Sequence, residues 1–337
     1  MGHINIPIFI PHLGCPNQCI FCNQRHISGQ IEFDENDVRN QINSVLSTVA
    51  NCDDVEIAFF GGSFTGIDRA LMIRLLDVAQ EYVKLGKASG IRMSTRPDYI
   101  SEEILDVLSN YTISCVELGI QSMNDSVLKY LKRGHTIEDT KAAVCMLKNR
   151  GFRFVGQMMI GLPTATLEDE LDCAEFICAS GAVGARIYPT LVFKQTELEM
   201  LALSGKYTPL TLEEAVERSA KVLGVFAKEN VPCIRIGLCE SENLHSDQTF
   251  VAGPNHPSIG EMIKSELYLS IVIKALDGKK HSNSVIVFCP RGATSQVIGN
   301  KRKNLKKLKE IFGFKEIKIV EDLDLTPFNI FIKDKED

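Results

Sequence analysis

The sequence predicts an α/β protein: a partial (β/α)6 barrel of the TIM type, followed by a small α+β unit. Three observations predict this fold. Short apolar runs alternate with runs of helical period, polar or glycine-rich residues follow the strand-like runs, and the last part of the chain is basic. Strict alternation of strand and helix is typical of parallel strands joined by right-handed crossovers. Six strands are fewer than the eight that close a barrel, so we expect an open one.

The predicted strands are short and rich in β-branched and aromatic residues. In chain order they are IPIFI (6–10), VEIAFFG (55–61), GIRMST (90–95), CVELGIQ (115–121), RFVGQMMIG (153–161) and ARIYPTLV (185–192). Between them lie helical patterns such as IEDTKAAVCMLKNRG, several of which open with an Asp, Ser or Thr cap and end at glycine. The carboxyl ends of these strands should meet at one rim, where a barrel-type fold keeps its active site.

The chain divides into three predicted segments. The barrel covers residues 1–240, a helical connector covers 241–280, and the small basic unit covers 281–337. In the last segment, two helical patterns follow the strand SVIVFC, and the strands KEIKIV and FNIFIK come after them. Eight Lys or Arg stand against two Glu between residues 301 and 318, although the whole chain has a net charge of −6. This is one concentrated positive region in an acidic protein.

Composition points to a globular protein. Apolar residues make up 45% of the 337 residues and charged residues 24%, which argues against wholesale disorder. We expect neither a secretory signal nor a membrane span, and therefore a cytoplasmic protein that does not engage a membrane. Most of the eleven cysteines, for example Cys145 in AAVCML, are expected to be small buried hydrophobic residues rather than a disulfide framework.

The stretch LGCPNQCIFCNQ places Cys15, Cys19 and Cys22 directly after the first predicted strand, with no nearby fourth cysteine. A structural zinc site needs four protein ligands, for which His12 or His26 could complete the set. An iron–sulfur cube usually takes four cysteines. With three, one iron keeps an open coordination position, which suits chemistry rather than scaffolding. Both interpretations stay open on spacing alone.

The motif CPNQCIFC, with an aromatic residue before its third cysteine, resembles the signature of the radical S-adenosylmethionine (radical SAM) superfamily. The resemblance implies that Cys15, Cys19 and Cys22 are the metal ligands and catalytic residues of a [4Fe–4S] cluster. It implies that S-adenosylmethionine binds the fourth iron and is cleaved to a 5′-deoxyadenosyl radical, which abstracts hydrogen from the substrate. The cofactor then carries the difficult chemistry, and the protein orients it.

The resemblance also assigns cofactor contacts. GGSF is similar to the superfamily's glycine motif, GIQSMNDSVLKYLKRGHT to a stretch that contacts S-adenosylmethionine in oxygen-independent coproporphyrinogen oxidase, and QMMIGLP to the fifth-strand motif near the adenine. The implied contacts are Phe21, Gly61, Gly62, Ser63, Ser94, Gln121, Arg133, Gln157, Gly161 and Pro163. Two alternatives remain: the glycine pair could be an ordinary turn, and Arg133 a solvated charge at a helix end.

For the substrate, ARIYPTLVFKQTELEMLALSGKYTPLTLEEAV (185–216) resembles the sixth-strand segment of the Elongator catalytic subunit, whose radical SAM domain modifies transfer RNA. We expect this chain to lack that family's acetyltransferase domain. The resemblance implies an RNA substrate, with transfer RNA as its class, and an electron donor such as ferredoxin or flavodoxin. Two alternatives are a radical SAM enzyme that acts on a small molecule such as a porphyrinogen, and a zinc-stabilised RNA-binding protein without catalysis.

The basic unit resembles a KH RNA-binding domain, with GNKR (299–302) in the place of that family's glycine-rich loop. Cationic side chains there would contact phosphates, and the alternative is a merely solvated helix face. Three further residues, His135, His256 and Tyr188, are either substrate contacts or structural. The predicted RNA-binding residues are Lys301, Arg302, Lys303, Lys306 and Lys307.

Overall fold

The computed structural model describes residues 3–10, 13–15, 19–23, 33–49, 54–239, 244 and 246–335. The strands in these ranges are β1 (His3–Phe9), β2 (Asp54–Phe60), β3 (Gly90–Thr95), β4 (Ile113–Gln121), β5 (Phe154–Ile160), β6 (Gly184–Pro189), β7 (Val192–Phe193), β8 (Cys233–Ile236), β9 (Phe250–Ala252), β10 (Ser284–Pro290), β11 (Glu316–Asp322) and β12 (Phe331–Asp334). The α-helices are α1 (Val38–Thr48), α2 (Arg69–Lys84), α3 (Glu102–Leu108), α4 (Asp125–Tyr130), α5 (Ile137–Asn149), α6 (Leu167–Ala179), α7 (Glu197–Leu203), α8 (Leu212–Lys228), α9 (Ile259–Leu276), α10 (Thr294–Ile298) and α11 (Lys303–Phe312).

The main sheet of the described chain has seven strands in the order β1-β2-β3-β4-β5-β6-β8, and every neighbouring pair is parallel. The predicted open barrel is confirmed. The predicted number of strands in this sheet, six, is wrong by one, because β8 pairs with β6 at its edge. With only four residues, an arginine among them and a proline just before, β8 carries a weak strand signal.

Residues of the main sheet alternate between two unlike faces. The outward face is apolar, and Ile57, Met93 and Leu118 are completely buried against the helices. The inward face carries the polar residues Glu56, Arg92, Glu117, Gln157 and Arg186 beside some apolar ones. Apolar packing therefore holds the half-barrel from outside and leaves a polar interior.

Three helices of the barrel begin at reciprocal capping boxes. Thr136, Thr166 and Thr211 each accept a hydrogen bond from a backbone N–H of the first turn, and an acidic residue three positions later bonds back to the cap. Such reciprocal capping satisfies backbone groups that the helix itself leaves free. The cap residues that the sequence shows therefore set the helix starts around the rim.

The predicted small C-terminal unit is confirmed as a three-stranded sheet in the order β11-β10-β12, with β10 parallel to β11 and antiparallel to β12. Helices α10 and α11 cover it, and Val285, Val297 and Leu308 are among its buried residues. The KH relationship stays a prediction. Between the helices, Lys301 and Arg302 both have positive φ, at 50° and 63°, a conformation that costs non-glycine residues energy.

Helix α9 joins the two units. Its first half, with Ile259, Ile263 and Leu267, belongs to the barrel core. Its second half, with Leu269 and Val272, belongs to the core of the C-terminal unit. The connector predicted for 241–280 thus contains an 18-residue helix that packs on both sides.

Two smaller expectations concern cysteines and membranes. All ten cysteines in the described ranges are free thiols, and Cys115, Cys173 and Cys289 are buried as expected. Cys145 is exposed, so its predicted burial is wrong: it lies on the solvent side of α5, whose core-facing residues include Ala143. Among the described helices, none is both long and apolar enough to cross a bilayer.

Candidate active site

A cavity of about 270 Å³ opens at the carboxyl ends of the main-sheet strands. The cysteine loop after β1 and the ends of β2 to β6 form its wall, as the alternation of strands and helices predicts. The residues named from the sequence that line it are Cys15, Phe21, Cys22, Gly61, Gly62, Ser94, Gln121, Arg133, Gln157 and Tyr188. Side chains from positions far apart in the sequence thus meet in one space.

The three predicted metal ligands lie in this loop. Cys15 and Cys22 line the cavity, and Cys19 is buried beside it, where its Sγ lies 3.6 Å from Nη1 of Arg133. Burial raises the pKa of Cys15, although Arg133 opposes the shift. Burial, reinforced by the neighbouring thiols, raises the pKa of Cys22 to about 12. The thiols of Cys15 and Cys22 are therefore protonated at neutral pH in the protein alone.

Within the described ranges, no three His, Cys, Asp or Glu side chains stand close enough together to chelate an ion as they are. Cys15, Cys19 and Cys22 are thus separate thiols around one space rather than a preformed ligand set. His12 and His26, the alternative zinc donors, lie outside the described residues.

The glycine pair packs against the backbone of the cysteine loop. A Cβ added at Gly62 would lie 2.1 Å from the carbonyl oxygen of Leu13 and 2.8 Å from that of Ile10. Gly61 has a positive φ of 103°. The N–H of Ser63 donates to the Leu13 carbonyl at 3.1 Å. The pair therefore lets the cysteine loop lie directly on the end of β2, which only glycine allows.

Ser63 faces away from the cavity that its glycine neighbours line. Its hydroxyl forms a hydrogen bond with Thr95 Oγ1 at 2.9 Å and accepts one from the N–H of Arg96 at 3.2 Å. It is fully buried. The structure therefore does not bring Ser63 to the cavity; it ties the end of β2 to the end of β3.

Arg133 is buried, with 8% of its surface exposed. Its Nη2 donates to the carbonyl of Gly119 at 3.0 Å, its Nε has no hydrogen-bond partner, and no described carboxylate lies within ion-pair distance. A side chain at Gly119 would collide with it, because an added Cβ would lie 2.7 Å from Nη2. The alternative of a solvated helix-end charge is wrong.

Gln121, at the end of β4, has a positive φ of 68°, and its side-chain Oε1 is buried without a partner. A strained backbone and an unsatisfied acceptor at a cavity wall are typical of functional positions. Both features favour the ligand contact that the resemblance assigns to Gln121.

A buried ionic network forms the floor of the cavity, and sequence reasoning missed most of it. Glu117, with no exposed surface, accepts hydrogen bonds from Arg92 (3.1 Å), Arg186 (2.5 Å) and Gln157 (2.7 Å). Arg186 also donates to the hydroxyl of Tyr188 at 3.3 Å. The sequence signal that could have revealed it is a charged residue in the middle of each of three otherwise apolar strands.

Gly161 and Pro163 do not reach the cavity. They line a separate depression, where the hydroxyl of Tyr207 donates to the carbonyl of Gly161 at 2.7 Å. The N–H of Gly161 donates to Glu170 at 2.6 Å, and Arg218 pairs with the same carboxylate. These bonds turn the loop after β5 outward, so the cofactor contacts predicted there remain predictions.

The two histidines differ in their surroundings. His135 is 3% exposed, and burial, together with the nearby Arg133, lowers its pKa to about 3. It is therefore a neutral imidazole behind the cavity wall. His256 is half-buried and lines a second cleft beside the cavity.

The predicted RNA-binding residues lie together on the C-terminal unit. All five are exposed, and none has an acidic ion-pair partner in the described chain. They occupy the turn before α11 and the solvent face of that helix: Lys301, Arg302, Lys303, Lys306 and Lys307. We call these five residues the basic surface.

Comparison with known families assigns most of the chain to two family models. Residues 9–177, half of the chain, match the Radical SAM superfamily. Residues 182–268 match the Radical_SAM C-terminal domain, which extends past the predicted barrel boundary into α9.

Individual relatives match over part of their length. An uncharacterized protein of Methanocaldococcus jannaschii is 29% identical over 61% of this chain and 66% of its own. Human Elongator complex protein 3 is 31% identical over 56% of this chain and 38% of its own. The tRNA uridine(34) acetyltransferase of Methanocaldococcus infernus is 31% identical over 49% of this chain and 35% of its own. The chain thus spans less than two thirds of each of these relatives.

Among solved structures, the Methanocaldococcus infernus Elp3 with an N-terminal deletion superposes with a TM-score of 0.62. The two proteins are 22% identical, and the superposition covers 82% of this chain and 64% of the Elp3 chain. At this identity the likeness establishes the fold.

Proposed function

Because the chain belongs to the radical SAM superfamily, we propose that it is an enzyme that uses a [4Fe–4S] cluster and S-adenosylmethionine to modify RNA, with transfer RNA as the substrate class. An external one-electron donor such as ferredoxin or flavodoxin belongs to the proposal, as does a cytoplasmic location. The observation that carries it is Arg133, which is buried beside the cysteine loop with an unsatisfied Nε and with no described carboxylate within ion-pair distance.

The residues present fit a cluster. Thiolates are the ligands that iron–sulfur clusters take; Cys15 and Cys22 line one end of the cavity, and Cys19 is buried beside it. Because burial raises the pKa of Cys15 and Cys22, binding a metal there must displace their protons. The glycine pair then has a clear role: it holds the loop that carries these ligands against the barrel.

The residues also fit S-adenosylmethionine, which has a carboxylate, an amino group and a nucleoside. A buried guanidinium without a counter-ion is costly, and a carboxylate is its best partner, so Arg133 would hold that group. The unsatisfied Oε1 of Gln121 offers an acceptor for an N–H or O–H. When bound, the cluster and S-adenosylmethionine together supply one-electron cleavage chemistry.

The other cavity residues would orient the substrate and exclude water. Phe60, Met159 and Phe193 form apolar wall beside the polar floor. Glu117 fixes the directions of Arg186 and Gln157, so their polar atoms are positioned before any ligand arrives. A site of this kind binds a group that has both an aromatic or apolar face and hydrogen-bonding edges.

Two observations support RNA as the substrate. Relatives at about 31% identity are an Elongator subunit and a protein named for its action on tRNA uridine(34). The basic surface supplies five exposed cations, none within ion-pair distance of a described carboxylate, on a protein with a net charge of −6. Phosphate contacts of this kind give affinity that falls steeply with salt.

The decisive experiment measures cleavage and RNA dependence together. Anaerobically reconstituted, dithionite-reduced protein is incubated with S-adenosylmethionine, with or without bulk transfer RNA, and 5′-deoxyadenosine is quantified. We expect formation that needs all three cysteines, tested by a Cys15→Ala, Cys19→Ala, Cys22→Ala variant, and that RNA stimulates. Stimulation by a metabolite fraction after RNase treatment would instead indicate a small-molecule substrate. One zinc per chain and no cleavage would contradict the enzyme itself.

A binding test isolates the basic surface. Changing Lys303, Lys306 and Lys307 together to Glu should abolish salt-sensitive transfer RNA binding, measured by filter retention. The matched control changes three exposed lysines elsewhere to Glu and so alters the net charge equally. These are Lys84, Lys87 and Lys228. Equal loss in both triple variants would show a bulk charge effect and contradict a specific RNA surface.

A further inference from the structure

A second cleft of about 130 Å³ adjoins the cavity and shares Pro189, Leu191 and Leu238 with it. Its remaining wall comes from the end of β8 and from the motif GPNHP, which the proposed chemistry does not use. The cleft is much smaller than the roughly 300–1,000 Å³ of typical ligand pockets. It therefore suits a single small group next to a ligand in the main cavity.

The fold holds the GPNHP segment rigidly at this place. Strand β9 pairs with β7 just before it, and an added Cβ at Gly253 would lie 2.9 Å from the carbonyl oxygen of Thr190. Prolines at 254 and 257 fix φ on both sides of Asn255 and His256. Asn255 donates to the carbonyl of Leu244 at 2.7 Å. The polar side chains are thus positioned without any ligand.

The described wall of the cleft presents hydrogen-bond donors. Nδ1 of His256 accepts the backbone N–H of Ser258 at 3.0 Å, which leaves the ring proton on Nε2 as a donor. Arg235 lines the same cleft, and no described carboxylate lies within ion-pair distance of it. None of the described lining residues is Asp or Glu. A guanidinium and an imidazole N–H with no counter-charge among the described lining residues are typical of an anion site.

We propose that this cleft is a phosphate-binding subsite, in which Arg235 and the Nε2–H of His256 hold the phosphate that neighbours the group bound in the main cavity. The subsite rests on the proposed function only for the source of that phosphate, which is a phosphodiester of RNA or the phosphate of a small molecule.

The position of the cleft favours RNA. Ile259, the first residue of α9, lines it, and Glu261 in the first turn of that helix accepts a hydrogen bond from Gln296 of α10 at 2.9 Å. Asn304, in the first turn of α11, donates to the carbonyl of Ser265 on α9 at 2.9 Å. The cleft thus adjoins both the cavity and the helix on which the C-terminal unit packs, so one strand of RNA could extend from the cavity past the cleft toward the basic surface.

The test uses the full-length, reconstituted protein and two probes. A fluorescein-labelled, nine-nucleotide single-stranded RNA is titrated by anisotropy at several salt concentrations, and uridine 5′-monophosphate is titrated by calorimetry. We compare the wild type with Arg235→Gln, with Arg235→Lys, which keeps the charge, and with His256→Gln. The matched control is Arg153→Gln, which changes an exposed arginine just before β5, at the opposite end of the barrel.

We expect Arg235→Gln to weaken binding about tenfold, as for loss of a charged hydrogen bond, and Arg235→Lys and Arg153→Gln to bind nearly as the wild type does. For the RNA probe, the slope of log affinity against log salt should fall by about 0.7, as for one lost phosphate contact. If Arg235→Gln does not fold, His256→Gln tests the same subsite.

The outcomes separate the subsite from the RNA proposal. Weaker binding of both probes supports a phosphodiester source. Loss of uridine 5′-monophosphate binding by a protein that binds no RNA supports the subsite with a small-molecule phosphate, and it contradicts the RNA substrate. If Arg235→Gln binds both probes as tightly as the wild type does, the subsite is overturned while RNA binding stands. A wild type that binds neither probe overturns it as well.

Discussion

Glu117 should be the most sensitive charged residue of the barrel interior. It has no exposed surface, and it is the acceptor for two arginines and one glutamine. Glu117→Gln keeps the shape and removes the charge. Arg92 would still pair with Glu56 at 2.6 Å, whereas Arg186 would have no carboxylate left in the described chain.

The expected cost follows from stranding a buried cation, which typically takes about 3–5 kcal/mol from the free energy of unfolding. At roughly 2 °C per kcal/mol for a chain of this size, the melting temperature should fall by at least about 6 °C. Glu217→Gln is the matched control, because Glu217 is 64% exposed and pairs with Lys221 one helical turn away. It should cost no more than about 0.5 kcal/mol.

Circular dichroism melting of both variants, without cofactor, makes the comparison. If Glu117→Gln has the same melting temperature as the Glu217→Gln control, the network is refuted as a source of stability. A second variant tests the cause: adding Arg186→Met to Glu117→Gln removes the stranded cation, so the double variant should melt higher than the two single losses predict.

Three further changes probe the loop, the histidine and the proposed cofactor contact. Gly62→Ala should displace the cysteine loop and lower the iron bound per chain on reconstitution. The control Gly224→Ala, whose added Cβ would lie 3.4 Å from Leu267 in ordinary contact, should load normally, and equal loading of the two variants would contradict the steric argument. Because burial lowers the pKa of His135 to about 3, acid should cost stability between pH 6.5 and 3, by about 2 kcal/mol at pH 5. Urea unfolding at pH 7 and 5 measures this loss of stability, which should be smaller in His135→Gln than in the wild type. An equal loss in both proteins would show that other groups cause it. Arg133→Met should weaken S-adenosylmethionine binding at least about tenfold in equilibrium dialysis, while the adjacent, exposed Lys132→Met should not; similar affinities would exclude Arg133 as the carboxylate anchor.

Features that depend on local sequence were predictable. The order of the strands followed from short apolar runs, and the position of the cavity followed from the polar residues after them. Gly61, Ser94, Gln121 and Gln157 converge because parallel strands bring their carboxyl ends to one rim. Strand β8 was missed because four residues with an arginine carry little periodic signal.

Side-chain direction was not predictable. Ser63 follows two cavity glycines, yet a hydrogen bond to Thr95 on the next strand turns its side chain away from the cavity. The Glu117 network depends on which residues neighbouring strands place side by side, for example Gln157 beside Arg186. Gly161 is held outside by a tyrosine 46 positions away. Because each of these contacts joins distant parts of the chain, no local sequence pattern predicts it.

The rigid link through α9 bears on how the proposed RNA contacts would combine. A flexible linker would let the basic surface sample many positions, and much of the gain from a second contact would be lost as entropy. Here one 18-residue helix, about 27 Å long, belongs to the hydrophobic cores of both units. Its first turn forms part of the cleft, and its middle is bonded to Asn304 beside the basic surface. Two contacts that are weak alone would therefore act at a fixed separation, and RNA of matching geometry would gain from both.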